Sequence, residues 1–154
     1  MKGSLPDHVL VIDEIPLIAI GLREVLRLLN PSVEVEYTEG IYTALSAPAL
    51  HGKSFDLIIL GVQASGFQTN LSQPASELKE RFGGRIMIYT DQYDPTLIEK
   101  IQEWGIDACV HKYESPEEVR NAYIRLSTGE PYVSGILYAL YYTYRLNLEN
   151  TSRP

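Results

Sequence analysis

Cysteine is nearly missing from this chain of 154 residues, with Cys109 standing alone. One thiol excludes an intramolecular disulfide framework and a zinc site built on cysteines. It fits a reducing compartment, so a cytoplasmic location is expected. Positive charge is scarce too: 13 Lys and Arg stand against 20 Asp and Glu, a net charge of −7, with no basic cluster. Direct nucleic-acid binding by this stretch is not expected, because neutralising phosphates takes grouped Lys and Arg. Long apolar runs are lacking as well. The N-terminal "HVLVI" is too short for a signal peptide or a membrane span. The turn after it, "DEIPLIAIG", has no glycine-rich phosphate loop, and no nucleophile–base pair is visible. An enzyme on a nucleotide-binding scaffold is therefore not expected.

What is present is the composition of one globular domain, 45% apolar and 21% charged. Short apolar runs alternate with amphipathic stretches, the pattern of a parallel sheet covered on both faces. Strands are predicted at Val9–Ile12, through "VEVEYT", at Leu57–Leu60, Arg85–Tyr89 and Ala108–His111. A first helix opens at Pro16, with Leu17, Ile20, Leu22, Val25, Leu26 and Leu29 as its apolar stripe. A weak helix across Gly40–Leu50 is interrupted by Pro48. Gly61–Pro74 reads as a long loop before a short helix over Glu77–Phe82. Asp94-Pro95 opens a helix that Gly105 stops, and "SPEE" at Ser115–Glu118 is a strong helix start. Ser134–Leu146 has helical spacing, and the closing "NLENTSRP" reads as a polar linker or disordered end. The expected fold class is α/β: a flavodoxin-like, doubly wound, five-stranded parallel sheet of order 2-1-3-4-5, helices on both faces, and an extra C-terminal helix.

Ligands of such sheets bind outside the carboxyl ends of the strands, at the topological switch point. Those ends carry the acid pair Asp13 and Glu14, then Gly61, then Thr90, then Lys112. Acid pair, acceptor, hydroxyl and lysine is the layout of a phosphoryl-receiving site, with glycine where a carboxylate is expected.

From His8 to about Thr143 the chain resembles a bacterial response-regulator receiver domain of the NarL/FixJ or LuxR branch. The resemblance rests on "VIDEIPLIAIGLREVL", on "DLIIL", and on the run from Ile88 to Ser134, in which "KYESPEEV" and "GEPYVS" are the most branch-specific pieces. In that family an aspartate ending the third strand takes a phosphoryl group. Two acidic residues hold Mg²⁺, a Ser or Thr bonds the phosphoryl oxygen, and a lysine pairs with it. Carried over by position, Asp13 and Glu14 are the acidic pair, Thr90 the hydroxyl and Lys112 the lysine, while Gly61 stands at the acceptor. The resemblance thus implies a degenerate, or pseudo-, receiver that cannot be phosphorylated there. Cys109 replaces an aromatic that many receivers carry three residues before the lysine, and "ASGFQTN" at Ala64–Asn70 replaces the usual loop.

The retained residues have simpler readings. Lys112 can pair with Asp13 or Glu14, or bind an anionic ligand. Asp13 and Glu14 could ligate Mg²⁺, but without the acceptor carboxylate the oxygen shell is incomplete, so no cofactor is expected. Thr90 can be a strand-end hydroxyl bonded to backbone. A Gly61→Asp substitution is expected to restore part of the phosphoryl uptake.

Eleven tyrosines are present, and Tyr138, Tyr141, Tyr142 and Tyr144 crowd the last helix on more than one face. Tyrosine supplies amphipathic area at interfaces, so a self-association or inter-domain surface is expected there, with packing against the body as the alternative. Residues 1–131 then form the receiver domain. Residues 132–154 form a C-terminal helix and linker leading to a helix-turn-helix domain absent from this chain, through which alone DNA would be bound. The expected function is a phosphorylation-independent, two-component-type regulator of transcription, homodimeric, with a sensor kinase or another signalling protein as a partner. The alternative is a stand-alone interaction module.

Overall fold

The computed structural model describes residues 3–63 and 70–152. Six parallel strands form one sheet in the order β2-β1-β3-β4-β5-β6. They are β1 (His8–Ile12), β2 (Glu34–Thr38), β3 (Leu57–Val62), β4 (Arg85–Thr90), β5 (Ala108–His111) and β6 (Tyr132–Val133). Five strands were expected, in the order of the first five. The sixth adds to the outer edge of β5, where the Tyr132 amide donates to Asp107 O at 3.2 Å and the Ser134 amide to Cys109 O at 2.9 Å. Two residues are too few to show an alternating pattern, which is why sequence periodicity misses them.

The central strands are apolar on both faces, as a parallel sheet buried between helices requires. Alternation sends Val9, Val11, Ile59, Met87 and Val110 toward α1 (Pro16–Arg27) and α5 (Pro116–Ser127). Leu10, Ile12, Ile58, Leu60, Ile86 and Ile88 face the other layer, which holds α2 (Ile41–Ser46), α3 (Ser72–Phe82), α4 (Leu97–Glu103) and α6 (Gly135–Thr151).

Three helices differ from expectation. In α1 the buried residues are Ala19, Leu22 and Leu26, while Leu17 and Ile20 face solvent at 72% and 48% exposure. A period of 3.6 places positions 17 and 20 opposite the buried stripe. α3 begins at Ser72, because the Asn70 side chain accepts the Ser72 amide at 2.8 Å and Pro74 falls in the first turn, where its missing N–H costs nothing. The substituted loop at Ala64–Asn70 lies outside the described residues except for Asn70. α6 continues to Thr151, so most of the expected polar linker is helix. From Ile136 to Thr151 the chain has neither glycine nor proline to stop it. Among the described residues no helix is long and apolar enough to cross a membrane.

α6 is fastened to the end of β5. Ser134, fully buried, accepts the His111 amide at 3.1 Å, and the Glu114 carboxylate accepts the Ile136 amide at 2.7 Å in the first turn. Leu137 is buried beneath the helix, and Tyr141 and Arg145 reach Glu99 of α4 at 3.5 and 3.6 Å. The four tyrosines therefore divide: Tyr141, which reaches α4, and Tyr144 are half-buried, whereas Tyr138 and Tyr142 are exposed at 60% each.

Replacing Ser134 with alanine leaves the buried His111 amide without its acceptor. Ser134→Ala is expected to cost about 1–3 kcal/mol of stability, read as a lower urea midpoint at unchanged m-value. A midpoint equal to wild type would show that this anchor contributes nothing.

Candidate functional site

β1 and β3 are neighbours in register, with Ile12 beside Leu60, so the next residues along, Asp13 and Gly61, also lie side by side. β3 does not stop before Gly61, as the sequence suggested. It runs through Val62, and Gly61 sits inside the strand opposite Tyr89 of β4.

Asp13 is held from three directions. Its amide donates to Thr38 O at 3.1 Å, its Oδ1 accepts the Ile15 amide at 2.8 Å, and its Oδ2 accepts from Lys112 Nζ at 3.2 Å. The bond to Ile15 is a local aspartate turn that fixes the carboxylate as the chain leaves the strand. A Cβ placed on Gly61 would fall 1.9 Å from Asp13 Oδ2 and 2.6 Å from Asp13 Cγ. The carboxylate thus occupies the volume that the side chain of residue 61 would need. Glycine lets the carboxylate lie this close, and any side chain here makes Asp13 shift, with no demand on the backbone angles of residue 61.

The pair is almost dry, with side-chain exposures of 2% for Asp13 and 10% for Lys112. Such a pair contributes little net stability as a unit, but removing one partner strands a buried charge at a cost of about 3–5 kcal/mol. Lys112 Nζ also stands 5.6 Å from the centroid of the Tyr89 ring, an electrostatically favourable seat. Burial first, and then the negative charge of Asp13, push the Tyr89 phenol above its ordinary pKa, so it stays neutral.

The other expected site residues do not touch the Asp13–Lys112 pair. Glu14 is exposed, and its carboxylate is 3.5 Å from the Gln63 amide nitrogen. Thr90 is fully buried, and strand alternation puts its side chain on the face of Ile86 and Ile88, opposite that of Tyr89. Its hydroxyl accepts the Gln92 amide at 3.0 Å, the strand-end role weighed above. Cys109 is a core residue: burial, with the charge of Glu114 adding to it, pushes its thiol up, away from the reactive thiolate. The structure brings Asp13, Gly61 and Lys112 into direct contact, sets Glu14 on the rim of the cavity beside Gly61, and turns the Thr90 side chain to the opposite face of the sheet.

A cavity of about 210 Å³ opens beside Gly61, and the only ionisable residues among its described lining are Glu14 and Glu39. Two carboxylates and no cation repel an anion such as phosphate. Nor do the residues fit Mg²⁺. Asp13 has both oxygens engaged and an ammonium at 3.2 Å, Glu14 turns to solvent, and the third carboxylate is missing. Among the described residues no group of three or more His, Cys, Asp or Glu is placed to hold a metal ion. A side chain introduced at 61, as in Gly61→Asp, fits only if the Asp13 carboxylate shifts from its present place.

Sequence reading missed Tyr89, which forms a wall of the site. The signal was available, since Met87 and Tyr89 alternate onto the same face as Gly61 once the strands are aligned.

No family model matches the sequence, and no curated protein is significantly similar to it. Among solved structures the chain is similar to a LuxR-family two-component response regulator from Aurantimonas sp. SI85-9A1, at 17% identity and a TM-score of 0.72, covering 93% of this chain and 99% of that one. It is also similar to the isolated REC domain of RcsB from Salmonella enterica serovar Typhimurium, determined with the phosphomimetic BeF₃⁻, at 18% identity and a TM-score of 0.68 over 86% and 96% of the two chains. A structure of two RcsB dimers bound to two parallel DNAs matches at 18% identity and a TM-score of 0.67, covering 87% of this chain and 67% of that one. At these identities the likeness establishes the fold alone. The chain has the fold of a response-regulator receiver domain.

Proposed function

We propose that this chain is a receiver-type signalling domain that operates without phosphorylation and acts through association with other protein surfaces. One observation carries the reading: the Asp13 carboxylate, bound to Lys112 at 3.2 Å, fills the space above Gly61 where an acceptor side chain would stand. Position 61 offers no nucleophile, and the lysine charge that would meet a phosphoryl oxygen is already neutralised by a neighbour. The pocket rests in a self-satisfied state. A change of state must then come from a partner or ligand that binds one conformation better than another.

The likeness to LuxR-type regulators supports a role in the control of transcription, exercised by a homodimer or through an attached DNA-binding domain. RcsB, a protein of this fold, is found as dimers on DNA. The outward tyrosines Tyr138 and Tyr142 on α6 supply a surface for an inter-domain contact.

Acetyl phosphate or beryllofluoride, each with Mg²⁺, is expected to leave the intact mass, the thermal midpoint and the oligomeric state unchanged. A phosphoryl mass gain stable enough to map to one carboxylate would sink the proposal. The geometry above Gly61 is open to a separate test. Gly61→Ala is expected to cost about 1–3 kcal/mol in the wild-type background, because the new methyl displaces Asp13, and close to nothing in an Asp13→Ala background. Equal costs in both backgrounds, measured by urea unfolding, would place the Asp13 carboxylate somewhere else.

A further inference from the structure

A second cavity, of about 310 Å³, lies between α1 and the start of α5. Ile18, Val25 and Val119 help to make its walls apolar, and the only polar side chains among its described lining are Tyr89, Lys112 and Glu114. Apolar walls with a few placed polar groups, at this volume, are the makings of a small-molecule site. Gly21 also lines the cavity and keeps it open. It stands in the interior of a 12-residue helix, where glycine is a poor choice, and a Cβ built on it meets nothing within 4 Å. Nothing inside the domain asks for glycine at this place, and a longer side chain would take up space in the cavity.

The polar groups decide what such a site would take. The Lys112 side chain is 10% exposed, and its ammonium carries three N–H donors. One goes to Asp13, and among the described residues the other two have no protein acceptor. The Tyr89 hydroxyl has no hydrogen-bond partner among them either. Donors held in an apolar wall favour a molecule that brings an acceptor. Charge narrows the class. Asp13 already balances Lys112, and Glu114 adds a negative charge to the lining, so a carboxylate or phosphate would enter against a net negative surround. An uncharged oxygen accepts the free ammonium hydrogens without adding charge.

We propose that the cavity between α1 and α5 is a binding site for an uncharged, mostly apolar molecule of bicyclic size, whose carbonyl or ether oxygen accepts from Lys112. The apolar body lies against Ile18, Val25 and Val119, over the space that Gly21 leaves free. Occupancy requires nothing of position 61, so binding here and the absence of phosphorylation there are tested apart.

The test titrates the full chain with 1-tetralone, an uncharged bicyclic ketone, reading its place by NMR and its affinity by calorimetry. Saturable shifts confined to the cavity lining and the Lys112 side chain are expected. Tetralin, alike in shape but without the oxygen, is expected to bind about tenfold more weakly, since a hydrogen bond from a charged donor is lost. The 1-naphthoate anion is also expected to bind more weakly than the ketone. Gly21→Leu fills the cavity from an exposed helix position, and is expected to abolish binding while keeping the wild-type circular dichroism. No saturable binding up to the solubility of the ketone, shifts that map elsewhere, or binding untouched by Gly21→Leu would overturn the site. Tetralin or naphthoate binding as tightly as the ketone would overturn the assigned ligand class. An affinity that falls as protein concentration rises would give the groove to a second copy of the chain and overturn the assignment too.

Discussion

The arrangement of this molecule turns on one buried contact, the Asp13 carboxylate lying over Gly61 with Lys112 against it. A carboxylate at 3% residue exposure needs a cation and hydrogen-bond donors, and it has both: the ammonium at 3.2 Å and the Ile15 amide at 2.8 Å. The geometry exists only because position 61 carries no side chain. The glycine at 61 and the placement of the Asp13 carboxylate are thus one structural feature. A receiver-like pocket with a vacant centre would hold a lysine and an aspartate poorly matched in place. Here the Asp13 carboxylate occupies the space above Gly61 and is satisfied by Lys112 and the Ile15 amide.

That contact is continuous with the last helix. His111, Lys112 and Glu114 leave β5 within four residues, and they serve three ends: His111 gives its amide to Ser134, Lys112 pairs with Asp13, and Glu114 caps the first turn of α6. Any displacement of Lys112 along the chain therefore pulls on both anchors of α6. Tyr141 and Arg145 tie the same helix to Glu99 of α4. The contacts that join the pocket's strand end to the helix bearing Tyr138 and Tyr142 are thus those of His111 and Glu114.

Much of this was legible before any coordinates. The apolar strand runs, the proline at the start of α1 and the "SPEE" start of α5 are local signals, and the structure follows them; Ser115 does accept the Glu117 amide at 3.3 Å. The partnership of Lys112 with Asp13 was one of two readings of adjacent strand ends. What was not legible depends on facing and not on position along the chain. Thr90 and Tyr89 differ by one residue and therefore by a whole side of the sheet. Leu17 and Ile20 fit a helical stripe by count but fall on the wrong side of the helix once Ala19, Leu22 and Leu26 take the core. β6 is held by edge hydrogen bonds of β5 that no side-chain pattern records.

Two glycines show how a missing side chain can be read in opposite ways. At Gly61 an added Cβ would collide at 1.9 Å with a carboxylate of the same domain, so the domain itself accounts for the glycine. At Gly21 an added Cβ would collide with nothing, although the helix around it would gain from alanine. An internal requirement explains the first and leaves the second without an intramolecular cause. The unexplained glycine lies one turn from the exposed Leu17, on a stretch of seven uncharged residues in an acidic chain.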